Sequence, residues 1–96
     1  MGEWTFLTNH AHVLMCVARD SSVRLRDVAQ DVGITERAAQ RIVADLVEAG
    51  YLERERDGRR NRYRLNENAP LRHPLDAGHE IGEIVRILGR PGKQSA

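Results

Sequence analysis

The sequence predicts a small, mostly helical α+β domain: three clustered helices, a β-hairpin packed beside them, and one further helix after the hairpin. Three observations carry this expectation. Residues 9–19, 36–49 and 75–88 repeat apolar side chains at helical spacing. The stretch "YLERERDGRRNRYRL", 51–65, turns at Asp57-Gly58, a strong hairpin signal. Finally, 96 residues with 41% apolar content are enough for one globular core, with no repeat, low-complexity run or internal linker to divide it.

The elements follow in order. In "NHAHVLMCVAR", 9–19, Val13, Leu14 and Val17 share one helical face, with Thr8 or Asn9 as the cap. "DSS" breaks that helix. Val23–Leu25 begins with a β-branched residue and reads as a very short strand. "RDVAQDV", 26–32, has helical spacing at Val28, Ala29 and Val32, and Gly33 can take the left-handed conformation that stops a helix. Thr35 is a good N-cap and Glu36 suits a first turn, so a helix is expected over 36–49, with Gly50 ending it. Ala39, Ile42, Val43 and Leu46 fall on its inner side. Glu36, Arg37, Gln40, Arg41, Ala44 and Glu48 fall on the outer side. Strands are expected over 51–56 and 61–65, with Leu52, Tyr63 and Leu65 inward and Arg62 and Arg64 outward. "NENAPLRHP" is a loop. The last helix is expected over 75–88, with Ala77, Ile81, Ile84, Val85 and Leu88 on one stripe, Ile87 off it, and Gly89 ending it. Residues 90–96 read as a disordered tail after a single domain over 1–89.

Charge is informative by its placement. The chain is only +1 overall, yet residues 51–65 hold six arginines against three acids, an excess of three. Residues 23–50 hold four arginines against five acids. Of the 15 basic residues only Lys93 is lysine. Arginine forks suit phosphate and guanine, although a GC-rich genome produces the same ratio. No apolar run approaches the roughly 20 residues of a membrane span, and the N-terminus lacks the pattern of a signal peptide. With one cysteine and hence no internal disulfide, the expected location is the cytoplasm. No catalytic constellation and no phosphate-cradling loop is present, so no enzymatic activity and no cofactor are expected.

The most specific motif is "DVAQDVGITERAAQRIVADL", 27–46. A helix-turn-helix needs a small residue where its helices cross, supplied by Ala29, and a turn-tolerant one four positions on, supplied by Gly33. Val28, Val32, Ile34, Ala39 and Ile42 provide the flanking apolar positions. An ordinary corner of two helices is the alternative reading. From Val23 to Leu65 the chain resembles the winged helix-turn-helix of MarR- and ArsR-type transcription regulators. The passage Leu46-x-Glu48-Ala49-Gly50-Tyr51-Leu52 into the hairpin matches, as does Asp57-Gly58-Arg59 at its tip. The resemblance implies a three-helix core, a β-hairpin wing and a C-terminal dimerisation helix. It also implies a sequence-specific regulator of transcription bound to double-stranded DNA, usually as a homodimer.

In that arrangement the helix 36–49 enters the major groove and the wing, 54–64, meets phosphates or the minor groove. Arg37, Gln40 and Arg41 are the expected base readers, because Arg forks to guanine and Gln to adenine. Thr35 and Glu36 sit where a hydroxyl or backbone N–H meets a phosphate; Glu36 can also accept from cytosine, at a cost in attraction. The resemblance assigns Arg59 the groove contact and Asp57 the steadying of the wing, with Arg60 and Arg62 on phosphates. For each, a solvated surface is the alternative. Trp4, Phe6, Ile81, Ile84, Val85 and Leu88 are the expected dimer surface, the alternative being that the stripe closes the monomer core. The chain is short for a MarR-type protein and lacks room for a ligand cleft, which leaves any effector open.

Three weaker readings remain. Acidic Glu36, Asp45 and Glu48 keep alive a protein-interaction module with no DNA of its own. His79 and Glu83, with Asp76 one turn earlier, loosely resemble an ArsR-type metal site, but the family's Asp-x-His spacing is absent. Cys16 lies in an apolar helix and reads as a small buried hydrophobe rather than a redox switch.

Overall fold

In the computed structural model, which describes residues 4–88, four α-helices surround one core and a two-stranded hairpin stands beside them. Helix α1 runs Asn9–Arg19, with the Thr8 hydroxyl accepting from the Ala11 N–H at 3.2 Å. Its Val13, Leu14, Met15 and Val17 are buried. Helix α2, Leu25–Val32, ends at Gly33, whose φ of 90° makes it the left-handed cap. There the Gly33 and Ile34 N–H groups both reach the Ala29 carbonyl, at 2.8 and 3.0 Å. This turns the chain directly into α3, Glu36–Glu48, with the Thr35 hydroxyl accepting from the Ala38 N–H at 3.0 Å. The four inward residues expected of that helix, Ala39, Ile42, Val43 and Leu46, are all buried.

Strands β1, Leu52–Asp57, and β2, Arg60–Leu65, pair antiparallel around the two-residue turn Gly58-Arg59. Gly58 holds φ 68° and Arg59 does not adopt a positive φ, the combination that lets a two-residue turn follow the strand twist. The register sets Leu52 opposite Leu65, Arg54 opposite Tyr63 and Arg56 opposite Asn61 on one face. It sets Glu53 opposite Arg64, Glu55 opposite Arg62 and Asp57 opposite Arg60 on the other. Leu52 and Tyr63 enter the core with Leu14, Val28, Val43 and Ala69, and Leu65 packs on its edge. Burying these side chains contributes about 1.5–3 kcal/mol each and holds the wing base against the helices.

Two expectations need correction. Val23–Leu25 is not a strand. Ser22 donates from both N and Oγ to the Asp20 carboxylate at 3.1 Å, and the Val23 N–H reaches the Asp20 carbonyl at 3.0 Å, so a turn closes at Val23, and Leu25 already opens α2. One backbone bond, Tyr63 N–H to the Ser21 carbonyl at 3.0 Å, is what links this turn to β2. The last helix is also shorter than expected. Pro74–Asp76 forms one 3-10 turn, Gly78 takes φ 89°, and α4 occupies only Ile81–Leu88. Its start is set by a loop. The Ile81 and Gly82 N–H groups donate to the Ala69 and Glu67 carbonyls, both at 2.9 Å, which satisfies two donors of the first turn. At the other end Arg19 donates to the Leu88 carbonyl at 3.2 Å and ties α4 to α1. Gly89, expected as the helix stop, and the expected tail 90–96 lie outside the described residues.

Candidate nucleic-acid interface

Helix α3 presents the outer face expected of it. Glu36, Arg37, Gln40, Arg41, Ala44, Asp45 and Glu48 are all exposed. Charge changes along the helix, with Arg37 and Arg41 in its first half and Asp45 and Glu48 in its second. Thr35, Arg37, Ala38, Gln40 and Arg41 line a shallow groove running along the N-terminal half. A second crevice, of about 380 Å³, lies between α3, the start of α2 and the first half of β2. Glu36 and Gln40 line it from α3, Arg24 and Arg26 from α2, and Arg60 and Asn61 from β2. Gln40 therefore borders both hollows, at the centre of the surface. The Thr35 hydroxyl spends an oxygen lone pair on the Ala38 N–H and keeps its own proton for an acceptor.

The sequence-named wing residues part company. Arg59 stands at the tip of the turn, exposed to solvent. Arg60 folds back and donates from its guanidinium to the Ser22 carbonyl, bracing the wing against the turn before α2. Arg62 lies 3.9 Å from the Asp57 carboxylate, an exposed ion pair along the wing. Arg64 donates to Glu53 across the strands, a contact that raises its already high pKa further. Arg54 extends over the Tyr63 ring, 5.9 Å from its centroid. Sequence reasoning passed over Arg24, Arg26 and Asn61. The two arginines flank Leu25, Arg24 in a segment read as a strand and Arg26 at the start of the expected helix, and cations at a helix start run against the helix dipole, a local cost that marks them.

The expected dimer surface divides. Ile81 is 8% exposed and belongs to the monomer core, and Ile84 and Val85 pack against that core while keeping part of their surface outside. The stripe thus closes the monomer first, the alternative weighed above. Trp4 and Phe6 are 72% and 92% exposed, their rings edge to face at 5.0 Å. At the end of α4, Leu88 remains partly outside, and Ile87, off the expected stripe, is the more exposed.

The weaker readings also have positions. His79 Nδ1 lies 2.8 Å from Glu83 Oε1, and the other Glu83 oxygen accepts from the Glu80 N–H at 2.9 Å. These contacts raise the His79 pKa and lower that of Glu83, whose larger cause is the backbone bond. Among the described residues no three His, Cys, Asp or Glu side chains gather as a metal-ligand set. Cys16 is half-buried, and desolvation, with Asp31 adding to it against Arg19, raises its thiol pKa. A raised pKa means less thiolate and lower reactivity at neutral pH.

Residues 6–69, two thirds of the chain, match the model of the winged helix DNA-binding domain family. The chain belongs to that family. Its helix-turn-helix is α2–α3, its wing is β1–β2, and DNA is the partner of this winged helix domain. The match closes at Ala69, so α4 lies beyond it. Compared with curated proteins, the chain has no significant match. No described helix is long and apolar enough to cross a membrane.

Proposed function

We propose that this winged helix domain is a sequence-specific transcription regulator, MarR-like in its Asp57-Gly58-Arg59 tip. It acts as a cytoplasmic homodimer without enzymatic activity. The N-terminal half of α3 lies in the major groove, where Arg37, Gln40 and Arg41 read base edges and Thr35 and Glu36 face the backbone. The wing meets phosphates or the flanking minor groove, led by Arg59. One observation carries the reading: α3 stands bare along its outer face, net basic in the half that would enter a groove, with Arg37 and Arg41 against Glu36, and acidic where it would leave. That gradient favours insertion of the N-terminal half. It also gives Asp45 and Glu48 a place away from phosphate, so the acids need no second partner to explain them.

The test begins with a site selected from random duplexes. Gln40→Ala or Arg41→Ala should lose about 1–3 kcal/mol on the selected site and relax base preference at one position each. Anisotropy titrations on the selected and scrambled duplexes measure both. Equal losses on the two duplexes would reduce these residues to backbone contacts. No binding by the unaltered chain even at low salt would leave the protein-interaction reading in its place.

A further inference from the structure

The strand register separates the wing's charge by face. On the face carrying Glu53, Glu55, Asp57, Arg60, Arg62 and Arg64, every arginine is set opposite an acid. Three positive and three negative charges cancel there. The other face carries Leu52, Arg54, Arg56, Asn61, Tyr63 and Leu65, with two arginines and no acid. Arg59 adds one more at the tip. The wing's entire excess of three therefore belongs to Arg54, Arg56 and Arg59.

We infer that the wing contacts the DNA backbone through Arg54, Arg56 and Arg59, and that the Arg62–Arg64 face is a neutral back turned away from the duplex, which takes Arg62, paired with Asp57, out of the phosphate role expected of it from the sequence. This rests on the DNA-binding reading and names which residues of the wing carry it. Two structural facts orient the hairpin. Asn61 and Tyr63, from the uncompensated face, line the crevice shared with Gln40 of α3, and Arg60 of the other face joins them only by turning back to the Ser22 carbonyl. Glu55, Arg62 and Arg64 instead line a hollow against Ala18 of α1 and Val85 of α4, which the apolar Tyr63 and Leu65 at the wing base also border. Apart from Arg60, the charged residues of the compensated face that border a hollow lie on the α1–α4 side, which leaves the uncompensated face towards the recognition helix.

Energetics points the same way. A phosphate drawn to Arg64 or Arg62 competes with Glu53 or Asp57 for the same guanidinium and is repelled by those carboxylates. Among the described residues Arg56 and Arg59 form no ion pair, and Arg54 is held by the Tyr63 ring rather than by a carboxylate. Tyr63 is 4% exposed, so the ring is a fixed platform. It limits how far Arg54 can wander before DNA arrives, which lowers the entropy cost of the contact. Arg54, Arg56 and Arg59 then form one row climbing from the wing base to its tip.

The comparison that tests this removes equal charge from the two faces of the full chain. Arg54→Gln with Arg56→Gln, and separately Arg62→Gln with Arg64→Gln, are titrated against one duplex by anisotropy at several salt concentrations. The first pair should lower the slope of log K against log salt by about 2, close to 0.9 per lost phosphate contact. The second should leave the slope unchanged. Thermal melts check that each variant is folded. Glu53→Gln with Glu55→Gln gives an independent reading should the arginine pair on that face unfold. It raises the wing's charge by two, and unchanged affinity is expected because those residues turn away from DNA. Equal slope losses from both arginine pairs, or tighter binding after the glutamate changes, would overturn the face assignment while leaving DNA binding intact. Absence of binding by the unaltered chain would overturn the underlying reading and this assignment together.

Discussion

A Cβ at Gly82 would lie 2.8 Å from the Glu67 carbonyl oxygen and 2.9 Å from the Glu67 Cβ. Both neighbours are fixed, because the same carbonyl accepts the Gly82 N–H. In an open helix, alanine in place of glycine stabilises by about 1 kcal/mol. Here the sign should reverse: Gly82→Ala must push the loop off the start of α4, at about 1–3 kcal/mol. A thermal melt decides it, and a higher midpoint for the variant would mean that the loop yields freely. The sequence does not announce this contact. Gly82 reads there as a weak spot in a helix, since its partner Glu67 belongs to a loop with no periodic pattern. Thr35 and Gly33 were legible because capping and left-handed turns are local chemistry, settled by neighbours in the chain. The same holds for Asp57-Gly58 at the wing tip.

At the scale of elements, α1, α3 and the hairpin could be read because each buries one face of a regular period. The two failures have a common cause. Val23 favours a strand only weakly, and the Asp20 side chain overrides it by folding the preceding residues into a turn. The last helix was expected from Leu75, with its stripe beginning at Ala77, but Gly78 at φ 89° interrupts the backbone, and Leu75 stays 89% exposed. The interface was partly legible for a similar reason. The count of wing arginines is visible in the sequence, whereas their sorting needs the pairing of both strands. The start of α4 has a pH signature of its own. The His79 pKa is raised above its ordinary 6.5, so its contribution is complete below that value and is lost as pH rises through the higher folded-state pKa. The Glu83 pKa is lowered below its ordinary 4.5, so its contribution is complete above that value and is lost on acidification through the lower folded-state pKa. The pair is therefore fully effective between 4.5 and 6.5. Both side chains face solvent, so the effect on stability is small. NMR titration of the His79 ring should show a midpoint above 6.5 that falls towards it in Glu83→Gln. An unmoved midpoint would mean that the ring and carboxylate do not meet in solution.

Assembly is a property of the whole molecule, and it turns on what the monomer core leaves uncovered. Ile81 is inside and Ile84 and Val85 are half inside, so α4 has little apolar surface left except near its end. Leu7 and Leu88 line one groove together with Met15 and Val32, which brings the N-terminal segment and the end of α4 to the same side of the domain. Trp4 and Phe6 extend from that segment as an exposed aromatic pair. Large aromatics left in water are the residues that most often anchor an interface. A homodimer built on this side would cover them and leave α3 and the wing of each copy free for a half-site. Trp4 is the one tryptophan of the chain, so its emission reports directly on the interface. Its fluorescence should move to shorter wavelength as protein concentration rises through the dimerisation range, in step with the mass measured by sedimentation. Trp4→Ala with Phe6→Ala should weaken dimerisation by about 2 kcal/mol or more, and with it binding to a two-fold site but not to an isolated half-site. A dimer that persists in that variant, with Trp4 emission independent of concentration in the unaltered chain, would place the interface on another face.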